Sequence, residues 1–151
     1  MTVQEGAVTA IYESRAKLFL AHGVETVLQN LHKNVLSSDT KGQNPGSKCS
    51  AIIEKTGQIA STLRATFYTS PDLVNATVLS TSINQTANNG FDCTEEQSNE
   101  MEGKIKEAFE ELNNVIKTQS LYVDKMEKTY FLSFNSVNEV KGNIQQKYVH
   151  I

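Results

Sequence analysis

Two cysteines, Cys49 and Cys93, are the only thiols in the chain, and two Asn-x-Thr sequons lie between them, Asn75-Ala76-Thr77 and Asn84-Gln85-Thr86. Thiols in an even pair can oxidise to a disulfide, and sequon amides can accept a glycan. Together they predict an extracellular domain closed by a Cys49–Cys93 bridge and N-glycosylated at Asn75 and Asn84. Both sequons fall on or beside one short helical segment, so glycans there are expected to shield one face of it.

Other chemistry is poorly supplied. His22 and His32 sit ten residues apart and His150 lies in the tail. His22 with Glu25 has the i,i+3 spacing of a bundle metal site, but a di-metal carboxylate bundle needs two Glu-x-x-His units, and the chain has none. A solvated His22 is therefore expected, with no metal and no cofactor. G-x-S-x-G, P-loop, G-x-G-x-x-G, C-x-x-C and H-E-x-x-H patterns are all missing. A nucleophilic Cys93 would need an electropositive setting, yet Asp92, Glu95 and Glu96 surround it. The chain reads as no enzyme.

Composition narrows the partners. The 151 residues suit one domain over 1–151, long enough to bury roughly 70% of the surface exposed when unfolded. The apolar fraction is 38% and the net charge is −3, with no basic run. Nucleic acid and a polybasic membrane anchor are not expected. No apolar stretch approaches the ~18 residues of a membrane span. Met1-Thr2-Val3-Gln4-Glu5 lacks the regions of a signal peptide, so secretion implies a mature form with Met1 added.

Hydrophobic periodicity supplies the elements that position these residues. A first helix is predicted over 2–36, with Ile11, Leu18, Leu20, Val24, Val27, Leu28, Leu31 and Val35 on one face. Gly23 in its middle suggests a bend or a close crossing. A second helix over 47–69 carries Cys49, Ile52, Thr56, Ile59, Leu63 and Phe67 at three- and four-residue steps. A third over 71–87 has Ser70 as its cap and Pro71 in its first turn. The last begins at Thr94, where Thr94-Glu95-Glu96-Gln97 matches a capping box. Its seam runs through Met101, Ile105, Ala108, Leu112 and Val115, then Tyr122, Met126 and Tyr130. As one helix over 94–141 it spans about 70 Å, so a break near 119 competes with a single long helix, which is favoured.

Short connections make neighbouring helices antiparallel. The predicted fold is all-α, an up-down bundle of four or five helices with the first and last longest. That topology brings Cys49 and Cys93 to one end. Leu121, Tyr122, Tyr130, Phe131 and Phe134 form an apolar excess that a surface helix does not need, a candidate contact surface. Three functions fit. The first is a secreted protein that binds a protein partner or itself. The second is a carrier of an apolar small molecule or lipid, with room left by Ala60, Ala65, Ala76 and Ala108. The third is a receptor ectodomain.

Overall fold

The computed structural model describes residues 2–37, 47–65, 73–88 and 90–130. These form four helices: α1 (Val3–Ser37), α2 (Ser47–Ala65), α3 (Leu73–Ala87) and α4 (Glu95–Thr129). No strand occurs among the described residues. Ser70, Pro71 and Phe67, and the expected extensions of the second helix to 69 and of the last to 141, lie outside them.

α4 passes through Thr118-Gln119-Ser120 without interruption, so the single long helix is the one found. Its start follows the sequence closely. Thr94 donates its backbone N–H to Gln97 Oε1 at 3.0 Å, and Gln97 donates its own to Thr94 Oγ1 at 3.1 Å. This reciprocal cap satisfies two of the helix's orphan donors. α1 opens on the same device, unremarked in the sequence: Thr2 N–H reaches Glu5 Oε2 at 3.2 Å and Glu5 N–H reaches Thr2 Oγ1 at 3.1 Å. α3 ends in a turn closed by Gly90, whose N–H donates to Ala87 O at 2.9 Å. Gly90 has φ +81°, a left-handed conformation open to glycine and costly to residues with a Cβ.

The chain clusters into two compact units. One comprises residues 22–115 and holds most of the core. There Val24, Val27, Leu28, Leu31 and Val35 of α1 are buried, with Ile52, Ile59 and Leu63 of α2, Leu73, Ala76 and Ile83 of α3, and Met101, Ile105, Ala108, Leu112 and Val115 of α4. α2 packs on α3. Lys55, in the first half of α2, donates to Thr86 in the last turn of α3 at 3.3 Å, as antiparallel neighbours require.

The polar composition reaches this core without leaving a donor stranded. Thr56 and Ser80 are buried, and each hydroxyl donates to the carbonyl four residues back, Ile52 O at 2.8 Å and Ala76 O at 2.9 Å. Among the described residues no buried side-chain nitrogen or oxygen lacks a hydrogen-bond partner. Gly23 is exposed, and a Cβ built on it meets nothing within 4 Å, so it marks no close helix crossing.

The other unit joins the start of α1 to the end of α4. Its core includes Ala7, Val8, Ile11, Tyr12, Ala16 and Ala21 of α1 and Val123 of α4. Arg15 Nη2 donates to Glu127 Oε1 at 2.6 Å, and because the start of α1 clusters with the end of α4 while their opposite ends share the other unit, the two helices run antiparallel. Leu18 and Leu20, expected on the buried face of α1, are only half-buried. The seam of α4 also differs from expectation. Tyr122 is exposed and Val123 is buried, because beyond Val115 the buried line advances by four-residue steps through half-buried Gln119 to Val123.

Candidate interaction surfaces

The disulfide is present. Cys49 and Cys93 are bonded at an S–S distance of 2.09 Å with their Cα atoms 5.5 Å apart, inside the range a bridge requires. Cys49 lies in the first turn of α2 and Cys93 two residues before α4. The bridge therefore ties two helix starts together.

Beyond the bridge, α2 and α4 keep one register. Gln97 Nε2 donates to Ser50 Oγ at 3.0 Å, and Arg64 Nε donates to Glu111 Oε1 at 3.1 Å, both across 47 residues of sequence. The same offset puts the Lys104 stem over Gly57, with its Cδ 3.5 Å from where a Cβ would stand. A constant offset means parallel helices, side by side for about four turns. Along them opens a groove of about 550 Å³ lined by Glu54, Gln58, Ser61, Glu100, Lys104 and Glu107 among others. Its walls carry both signs of charge, with polar and apolar surface in near-equal measure.

In the unit formed by the start of α1 and the end of α4, a smaller groove of about 200 Å³ lies among Ala10, Glu13, Ser14, Lys17, Gln119 and Tyr122. Large apolar side chains there face solvent: Phe19 is 60% exposed, Leu121 59% and Tyr122 40%. The Arg15–Glu127 pair sets the register. Phe19 is one turn beyond Arg15 and Val123 one turn before Glu127, so the three exposed side chains fall within about one turn of each other along the helix pair. Tyr130 is half-buried, and Phe131 and Phe134 lie outside the described residues. Phe19 was missed in the sequence. Its signal was an aromatic residue in the run Leu18-Phe19-Leu20, off the α1 stripe.

Buried Tyr12, by contrast, belongs to the core of that unit. Desolvation pushes its hydroxyl pKa above the ordinary 10.0, opposed by the nearby Arg15 guanidinium.

His22 Nδ1 stands 3.5 Å from Glu25 Oε1 on an exposed stretch of α1. No group of three metal-ligating side chains occurs among the described residues. Both sequon asparagines are exposed on α3. They do not share a face, which corrects the expectation of one shielded side. Nine residues make two and a half turns, so Asn75 and Asn84 stand about 180° apart around the helix. Both still reach solvent because α3 buries only the narrow stripe Leu73, Ala76, Ser80 and Ile83.

Fold and surface together define an all-helical bundle whose second and fourth helices are parallel and disulfide-linked at their starts. Comparison with protein-family models, with curated proteins and with solved structures returns no match. No helix among the described residues is long and apolar enough to cross a membrane.

Proposed function

We propose that the protein is secreted and acts without catalysis of its own, by binding a protein partner or a second copy of itself. The observation that carries this reading is the exposure of Phe19, Leu121 and Tyr122 at neighbouring levels of one helix pair. Large apolar side chains left exposed at one level of a helix pair support an interaction surface there. Aromatic anchors of this kind dominate interface energetics. The Cys49–Cys93 bridge supports an oxidising compartment. Both grooves are lined mainly by polar side chains, so nothing in them favours the carrier of an apolar ligand.

Light scattering over a wide concentration range, with crosslinking in the native extracellular fluid, tests the reading. Phe19→Ser with Leu121→Ser and Tyr122→Ser should abolish association while leaving the helical signal intact, since these side chains are on the surface. A parent protein that stays monomeric at every concentration and crosslinks to nothing overturns it.

A further inference from the structure

From Leu73 to Phe91 the chain contains no Asp, Glu, Lys or Arg, the longest uncharged stretch in a sequence that is 21% charged. Most of it is α3, and α3 is a surface helix. Opposite its buried stripe it presents Val74, 46% exposed, and Val78, 61% exposed, one turn apart. Thr81 and Gln85 continue that outer side, and they carry no charge. Surfaces ordinarily stay soluble through mixed charges, with few exposed aliphatic side chains. α3 breaks both habits at once, and does so where the only two sequons of the described residues lie.

We propose that Asn75 and Asn84 are both N-glycosylated, and that the Asn75 glycan lies over Val74 and Val78. The sugar supplies hydration over the aliphatic pair, which has no charged side chain beside it on the helix. Asn75 is next to Val74 in sequence and three residues before Val78, so a glycan rooted there starts at the edge of the apolar patch. Asn84, half a helical circumference away, covers the other flank.

The donor is an oligosaccharide carried on a lipid diphosphate. The amide Nδ2 attacks the anomeric carbon, and the N–C bond forms as the bond from that carbon to the phosphate oxygen breaks. The lipid diphosphate leaves as an anion and the amide proton passes to a base of the transferring enzyme. In the fold, Thr77 Oγ1 donates to Leu73 O at 2.7 Å and Thr86 Oγ1 to Ser82 O at 2.9 Å. Both sequon hydroxyls are thus committed to the helix, which assigns the transfer to the chain before α3 forms.

The inference rests on passage through the secretory pathway, so the test supplies that passage. The chain is expressed in animal cells behind a cleavable leader from another protein, and whole-cell and medium fractions are measured by intact mass. Two glycans are expected on the parent, one on Asn75→Gln and on Asn84→Gln, and none on the double variant. Thr77→Val and Thr86→Val should each lose the same glycan as the matching asparagine variant. Enzymatic removal of the Asn75 glycan should increase binding of a fluorescent hydrophobic dye, and Val74→Ser with Val78→Ser should cancel that increase. A bare polypeptide mass, or a glycan at only one position, overturns the proposal. An unchanged dye signal overturns the covering role. None of these results depends on where the protein naturally resides, which fractionation of its source tissue reads separately.

Discussion

Reducing the Cys49–Cys93 bridge should cost the protein about 4 kcal/mol. The bridge closes a loop of 44 residues lying wholly within the larger compact unit. In the chain-entropy model, a loop of this length restricts the unfolded ensemble by about 13 cal/mol/K, or about 4 kcal/mol at 25 °C. Two features make reduction a clean perturbation. Both cysteines are buried, and a free thiol there packs as a small hydrophobe and strands no charge. The Ser50–Gln97 and Arg64–Glu111 contacts also hold the α2–α4 register independently of the sulfurs. The folded state should therefore survive reduction with its helices intact, and the loss should appear as a lower midpoint. At about 2–4 °C per kcal/mol for a chain of this size, the shift is roughly 8–16 °C. The assay is thermal unfolding followed by far-UV circular dichroism, oxidised against phosphine-reduced protein, with free thiols counted after each scan. Coincident midpoints in the two forms would refute the loop-closure reasoning.

Gly23→Ala should stabilise the protein by about 0.5–1 kcal/mol in urea unfolding, because Gly23 lies inside α1 with open space where a Cβ would go. Thr94→Ala should cost about 1 kcal/mol in the same assay by removing one half of the α4 cap. Tyr12 favours its neutral form in the fold, so its folded pKa lies above its unfolded one. Its contribution is then full below pH 10.0 and is lost as pH rises further; absorbance titration should show an ionisation above pH 10.0 that Tyr12→Phe removes, and stability should fall over that range.

The parts of the fold that were legible in the sequence are those governed by local chemistry. The α2 stripe from Cys49 to Leu63 and the α4 seam from Met101 to Val115 are both buried as their spacing predicts. The capping box at Thr94 is formed as its residue types predict. Prediction weakened where burial depended on neighbours. Tyr122 looked like a seam residue because it lies two turns beyond Val115 and four-residue steps continue from it to Met126 and Tyr130. Val123 is buried instead, since position along the helix outranks side-chain size. Leu121 and Tyr122 were legible as an apolar excess, whereas Phe19 was hidden inside a run whose flanking leucines drew the stripe. Gly23 misled for a related reason. Glycine signals room for a close approach, but only tertiary structure says whether anything approaches.

Gln97 shows how local and long-range order meet in one side chain. Its Oε1 accepts from the Thr94 backbone, completing the cap of α4, while its Nε2 donates to Ser50 on α2. Glutamate at this position would serve the cap equally well, as it does at Glu5. It would lack the N–H donors that reach Ser50. The amide is thus the form of the motif that both starts the helix and fixes its distance from a neighbour. Four residues before Gln97, Cys93 binds the same helix, one residue from Ser50, through Cys49. The start of α4 is consequently held by a cap, an interhelical hydrogen bond and a covalent bond within two turns. The same parallel alignment continues along the two helices to Arg64 and Glu111. The cysteine pair stands within this clamp as its covalent member, joining the starts of two parallel helices.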